Sequence, residues 1–212
     1  MKIALIGASG FIGSALLTEA LSRGHHVMAL VTRPERVASQ ENLTIVKSDV
    51  LNTEALAEQL RGAEAVISAF SGHAQEDVYD YYIKGFNSIL TATQRAAVPR
   101  LLLVGGAATL EVAPGQLLLE APGFPPEYRA TAEGAKTALE TLRGQTAQAW
   151  TFLSPAAEIF PGERTGSFRL GGDTLMSDSE GKSRISVQDY AIAMIDELGT
   201  PHHTNQRFCV AY

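Results

Sequence analysis

The sequence predicts one α/β domain, a doubly wound parallel sheet with helices on both faces. Three observations predict it. Short apolar runs alternate with segments whose apolar residues recur at helical spacing, and a glycine-rich turn joins the first run to the first such segment. The chain's 212 residues, 45% of them hydrophobic, suffice for one sizeable core. No internal repeat, low-complexity segment or linker divides residues 1–212, which read as a single domain.

The first run, Ile3-Ala4-Leu5-Ile6, reads as a buried strand, and Ile12, Ala15, Leu16 and Ala20 mark the helix after it. Between them lies Gly7-Ala8-Ser9-Gly10-Phe11-Ile12-Gly13. A strand that enters a helix through such a turn aims backbone N–H groups and the positive helix end at one spot, which suits a pyrophosphate. Gly7 is expected to make the tight turn, Gly10 to let the backbone approach phosphates, and Gly13 to pack helix on strand. Gly7, Ser9, Gly10, Phe11, Ile12 and Gly13 are thus candidate cofactor-binding residues. The Gly-x-x-Gly-x-x-Gly spacing is one residue looser than the usual dinucleotide fingerprint, and the domain reads as Rossmann-type and NAD(P)-binding.

The second strand, residues 25–31, follows Gly24, a helix-ending glycine. His25 and His26 have no carboxylate, Cys or third His close in sequence, so no metal is expected. At the strand's tip, Val31-Thr32-Arg33-Pro34-Glu35-Arg36, the acid that binds the ribose 2′-hydroxyl of NAD is missing. Arg33 and Arg36 are placed instead to hold a 2′-phosphate, with Thr32 beside them, so NADP(H) is favoured over NAD(H). The third strand, residues 44–47, ends near Asp49 and Val50. The Asp49 carboxylate could accept from an adenine amino group and the Val50 N–H could meet the ring edge, the alternative being that Asp49 turns the chain. Residues 53–60 read as a helix with Thr53 in the capping position.

The fourth strand, Ala65-Val66-Ile67-Ser68-Ala69-Phe70, exits into the loop Ser71-Gly72-His73-Ala74-Gln75 at the carboxyl edge, where open α/β sheets bind ligands. Ser68, Ala69 and Phe70 are expected to line the ribose and nicotinamide half of a cofactor, and His73 is a substrate-side candidate. Residues 77–97 form a long helix, and its Tyr79, Tyr81 and Tyr82 cannot share one face. Some must meet solvent or a partner chain, as in a homodimer. The fifth strand, residues 100–104, ends in Gly105-Gly106-Ala107-Ala108 with no hydroxyl before Thr109; Gly105 joins the cofactor candidates.

Residues 109–128 hold Pro114, Pro122, Pro125 and Pro126 and hang off the fifth strand as a wall over the substrate site. Leu117, Leu118, Phe124 and Tyr128 give it a flat apolar surface, with Phe124 and Tyr128 as substrate candidates. A helix over 130–142 carries Lys136. The sixth strand, residues 148–153, leaves through Ser154-Pro155-Ala156-Ala157, and Pro155 and Ala156 are expected beside a nicotinamide carboxamide. Residues 162–185 complete the substrate-side wall, with a short strand over 167–170; a helix runs to about 198, and residues 208–211 close the sheet.

Together with the glycine turn, Asp49-Val50 and Ser154-Pro155, the chain resembles an atypical short-chain dehydrogenase/reductase. More narrowly, Val104-Gly105-Gly106-Ala107, Leu110-Glu111-Val112-Ala113-Pro114-Gly115, Leu153-Ser154-Pro155-Ala156, Pro161-Gly162-Glu163-Arg164-Thr165-Gly166 and Arg184-Ile185-Ser186-Val187-Gln188-Asp189-Tyr190-Ala191 resemble the NADH-flavin reductase group. That group is related to NmrA-like proteins and to biliverdin reductase B. The resemblance implies a nicotinamide-dependent oxidoreductase with a flavin or flavin-like acceptor.

Ordinary short-chain dehydrogenases carry a Tyr and a Lys four residues later. Here Tyr79, Tyr81, Tyr82, Tyr128 and Tyr190 are followed at that distance by Ile83, Gly85, Phe86, Ala132 and Met194. Reducing a ketone needs an acid for the developing alkoxide, whereas a flavin delocalises the charge and can take its proton from water. No side chain is therefore nominated as catalytic: the cofactor supplies the hydride, and the protein stacks and orients. A reductase of flavin, or of a similar planar acceptor such as a quinone, is the first expectation. A catalytically silent NADP(H)-sensing regulator of NmrA type is the alternative, and a nucleotide-sugar epimerase or dehydratase is a third reading.

The net charge of −6 offers no basic footprint, so no nucleic-acid partner is expected. No membrane association is expected either, since no apolar run reaches spanning length and the first residues lack a signal-peptide pattern. The single cysteine, Cys209, cannot form an internal disulfide and fits a cytoplasmic protein.

Overall fold

The computed structural model describes residues 1–73 and 76–212. Ala74 and Gln75 of the predicted loop lie outside the described residues.

Among the described residues, the alternation read from the sequence becomes an eight-stranded sheet flanked by five α-helices. In chain order the first half runs β1 (Lys2–Ile6), α1 (Phe11–Ser22), β2 (His26–Val31), β3 (Leu43–Lys47), α2 (Thr53–Leu60), β4 (Ala65–Ser68), α3 (Val78–Arg95) and β5 (Arg100–Val104). The second half runs β6 (Glu111–Ala113), β7 (Gln116–Leu117), α4 (Arg129–Arg143), β8 (Ala149–Ser154), β9 (Glu158–Phe160), β10 (Arg169–Gly171), β11 (Arg184–Ser186), α5 (Val187–Gly199) and β12 (Gln206–Ala211). The main sheet has the order β10-β12-β8-β5-β4-β1-β2-β3, parallel throughout except for β10. This is the Rossmann-type order, which reverses between β1 and β4.

Strands buried on both faces explain the unbroken apolar runs. On one face α1 and α5 cover Leu5, Ile67 and Leu153 with Leu16, Ala191 and Met194. On the other, α2, α3 and α4 cover Ile6, Val66 and Phe152 with Leu56, Phe86 and Leu139. No helix among the described residues is long and apolar enough to cross a membrane.

Two local expectations change. Asn52, not Thr53, caps α2: its Oδ1 accepts from the Ala55 amide at 3.1 Å, while the Thr53 hydroxyl bonds Ser88 at 2.8 Å. The last strand does not close the sheet, because β10 pairs antiparallel with β12 and forms the edge beyond it.

Register places the site. Ile6 stands opposite Leu30 on one side and Ser68 on the other, so the exits of β1, β2 and β4 emerge together at the carboxyl edge. Val104 opposite Leu153 brings the exits of β5 and β8 to the same edge.

Candidate functional site

The glycine turn is built by close approach. The Gly7 amide donates to Leu30 O at 3.1 Å and the Gly10 amide to Gly7 O at 3.0 Å. Gly7 has φ of +81°, and a Cβ there would lie 2.7 Å from Ala69 O. A Cβ on Gly13 would lie 2.0 Å from Gly7 O, so only glycine lets α1 sit this close to β1. Gly10 caps α1 without any side-chain hydrogen bond, leaving the first-turn amides to meet an external acceptor. Ser9, Gly10 and Phe11 are exposed here, Phe11 by 49% although it is large and apolar. Bare amides at a positive helix end are the donor set that a pyrophosphate needs.

Further along the edge, Thr32, Arg33 and Arg36 are exposed at the tip of β2, where residues 34–36 form a short helical turn. Neither guanidinium has an ion-pair partner among the described residues. At the end of β3, Asp49 turns the chain: its Oδ1 accepts from the Leu51 amide at 3.0 Å. Val50 is buried and packs against Leu56 and Leu60. The carboxyl edge thus runs from the glycine turn to two free guanidinium groups at one end.

At its other end is a cavity of about 590 Å³ that begins at the glycine turn. Gly10, Phe11, Ile12, Gly13, Ala69, Phe70 and Gly105 line it, together with His73, Phe124 and Tyr128. The structure therefore joins most of the predicted phosphate-side and substrate-side residues in one space. Gly105 is forced by packing, since a Cβ there would meet the Phe152 ring at 2.2 Å. His73 Nδ1 lies 3.3 Å from the Thr131 hydroxyl. Phe124 lies under the Arg129 guanidinium at 5.7 Å, and Tyr128 is 57% exposed at the rim. Leu118 lines the cavity, while Leu117 is absent from its lining.

Four expectations are corrected. Ser68 is buried rather than cavity-facing, and its Oγ accepts from the Phe70 amide at 3.4 Å. Pro155 and Ala156 are buried too, Ala156 within the α1/α5 core, because the chain leaving β8 at Ser154 stays inside for two residues and reaches the surface only at Ala157. Ala157, Glu158 and Ile159 line the cavity instead. Residues 162–185 contribute nothing to its lining: Arg164 reaches Glu19 on α1 at 2.8 Å, and Thr165 and Gly166 bond Asp189 on α5.

Lys136 pairs with Glu120 at 3.6 Å on the surface. Thr109, the first hydroxyl after β5, is buried; it donates to Gly106 O at 3.0 Å and accepts from Arg207 at 3.2 Å. Neither lines the cavity.

Sequence reasoning passed over Tyr82, which lines the cavity. Its helical spacing from Phe86 and Ile89 puts it on the inward face of α3, a signal that separates it from Tyr79 and Tyr81. The cavity-lining residues Ala157 to Ile159 carried no local signal, since their placement depends on where β8 ends.

A family model described as NAD(P)H-binding matches residues 7–198. The YwnB protein of Bacillus subtilis is 40% identical over 99% of this chain and 98% of its own. A solved structure of a candidate epimerase from Bacteroides thetaiotaomicron is 45% identical with a TM-score of 0.92, covering 100% of this chain and 96% of that one. A candidate NADH-flavin reductase from Streptococcus pneumoniae is 34% identical with a TM-score of 0.87, covering 100% and 99%. The glycine turn with its bare amides and the cavity opening from it agree with these matches: this chain belongs to the NAD(P)H-binding family.

Proposed function

We propose that this protein is an NAD(P)H-dependent reductase that passes hydride to a flavin or a similar planar acceptor such as a quinone. The observation that carries this reading is the 590 Å³ cavity, which opens from the glycine turn and is walled by Phe70, Leu118, Phe124, Ala135 and Ile159. A cavity walled by apolar and aromatic side chains suits a conjugated ring, held chiefly by burial and stacking. The missing Tyr-x-x-x-Lys pair and the committed Lys136 and Thr109 disfavour sugar or alcohol chemistry, which needs an acid-base group. The similarity to the Streptococcus pneumoniae protein is in keeping with this reading.

The residues present fit a nicotinamide dinucleotide. The Gly10 to Gly13 backbone would hold the pyrophosphate, and Arg33 with Arg36 would hold a 2′-phosphate, favouring NADP(H) over NAD(H). When bound, the reduced cofactor supplies the hydride. Gly105 and the β5 exit let a flat group lie close to the sheet edge, while Phe124 and Tyr128 cover the acceptor from outside. Oxidation of NADPH and NADH, followed by absorbance with FMN, riboflavin or menadione and without acceptor, tests the assignment. Turnover with acceptors and not without them supports it. Cofactor binding with no turnover on any of them points to the NADP(H)-sensing alternative.

A further inference from the structure

Tyr82 occupies a singular place in the cavity. Its ring stacks on Phe70, the planes 9° apart with centroids at 6.0 Å. From α4, Gly134 packs closely on the ring: a Cβ there would lie 2.9 Å from Tyr82 Cδ1. Gly72 closes a third side, where a Cβ would lie 3.4 Å from Tyr82 Cβ. The ring is therefore held in one orientation before any ligand arrives.

The hydroxyl is not committed. It has no hydrogen-bond partner among the described residues, and Tyr82 lines the cavity. The Tyr190 phenol contrasts with it: fully buried, it donates to Leu153 O at 2.7 Å. Burial pushes the Tyr190 phenol far up. The other polar side chains in the lining are differently placed. His73 and Thr131 face each other, Glu158 pairs with Arg184 at 3.2 Å, and Ser71 and Tyr128 are exposed.

We infer that Tyr82 Oη donates a hydrogen bond to the oxygen of a conjugated carbonyl in the acceptor, on which negative charge grows as hydride reaches the ring. This rests on the reductase reading and narrows its substrate class to quinones, flavins and related enones. The acceptor gains one hydride, which carries both electrons, from the reduced nicotinamide, which is thereby oxidised, and its second proton comes from water. Oη keeps its own proton. Burial pushes this phenol up to about 12, which keeps the proton on Oη near neutral pH. A positioned donor at a developing oxyanion acts mainly in the transition state.

Tyr82→Phe keeps the ring and its stacking and removes only the hydroxyl. Its kcat/KM with menadione and with FMN should fall by roughly tenfold or more, the scale of one lost oxyanion donor. NADPH affinity and melting temperature should stay as in the parent. Infrared spectra of bound menadione and bound FMN, without nicotinamide, give a second readout. The carbonyl band should sit lower in the parent than in Tyr82→Phe, and Gly134→Ala, which displaces the ring, should lose part of that shift. Equal turnover in parent and Tyr82→Phe, a band at one frequency in both, or no binding of either ligand overturns the inference. If the parent reduces neither compound but the band difference is present, the reductase reading fails and the contact stands.

Discussion

Gly7, Gly10 and Gly13 are spaced three apart, yet each is glycine for a different reason. Gly7 needs its left-handed backbone and Gly13 its contact with Gly7 O, so a side chain at either disturbs the fold itself. Gly10 is different: its φ is −82°, and the nearest atom to an added Cβ is Gly7 O at 3.4 Å. Gly10→Ala should therefore leave the melting temperature of the cofactor-free protein almost unchanged while its methyl obstructs the amides that face a pyrophosphate. Calorimetric titration should show weaker NADPH binding, and unchanged affinity would mean that the turn cradles something else. Arg33 carries the second residue-scale prediction. Exposed, and unpaired among the described residues, it loses nothing structural on truncation, so Arg33→Ala should weaken NADPH by ~1–3 kcal/mol through the lost charge-assisted bonds. NADH should bind as before. Equal dissociation constants for the two cofactors in the parent protein would overturn the NADP preference.

Elements are tied together by carboxylates that the core encloses. Ser186 caps α5, accepting from the Asp189 amide at 3.0 Å, and Asp189 then gathers the preceding loop. Its Oδ1 accepts from the Thr165 and Gly166 amides at 2.8 and 2.9 Å, and its Oδ2 from the Tyr212 hydroxyl at 2.8 Å. Burial works to raise this carboxyl, but the Thr165 side chain, the Gly166 amide and the Tyr212 hydroxyl outweigh it and hold it below 3.8. A carboxyl lower in the folded than in the unfolded chain stabilises fully above 3.8, and that contribution is lost as pH falls through the folded value. Asp189→Asn should cost ~2 kcal/mol or more at pH 7, because the amide cannot match a charged acceptor. Denaturant unfolding at pH 7 and again at about pH 3 should show the gap between parent and variant narrowing on acidification. A gap of constant size would remove the charge from the explanation. On α1, Glu19 follows the same sign: the Arg164 hydrogen bond leads in lowering it, against burial, with Arg23 adding to the effect.

Across the whole molecule, the parts legible in the sequence are those set by local periodicity. β1, the glycine turn and α1 follow from four apolar residues, three glycines and a helical repeat, and the doubly wound order follows from their alternation with the later strands. What was not legible depends on partners distant in sequence or on how a strand ends. Arg164 meets Glu19 across 145 positions, which is why residues 162–185 brace α1 and α5 instead of walling the cavity. Ser68 is the last residue of β4, and Pro155 and Ala156 follow directly on the end of β8, yet all three are buried, the chain after β8 reaching the surface only at Ala157. The apolar wall over 109–128 combines both cases. Its prolines signalled an irregular segment, but only the fold brings Leu118, Phe124 and Tyr128 against α4 and the β5 exit. Since this wall lines the cavity proposed to take the acceptor, and Arg33 and Arg36 are not in its lining, the two binding events should be separable. Phe124→Ala and Tyr128→Ala should raise the apparent KM for FMN several-fold, in line with the ~0.5–1.5 kcal/mol that an aromatic contact adds beyond its buried area. NADPH affinity, measured by its fluorescence, should not move. Because Tyr128 is mostly exposed and Phe124 rests under Arg129, neither change opens the core, and both variants should melt near the parent. If both reduce FMN with the parent's KM, the acceptor does not lie against this wall, and the loop bearing His73 becomes the side of the cavity that holds it.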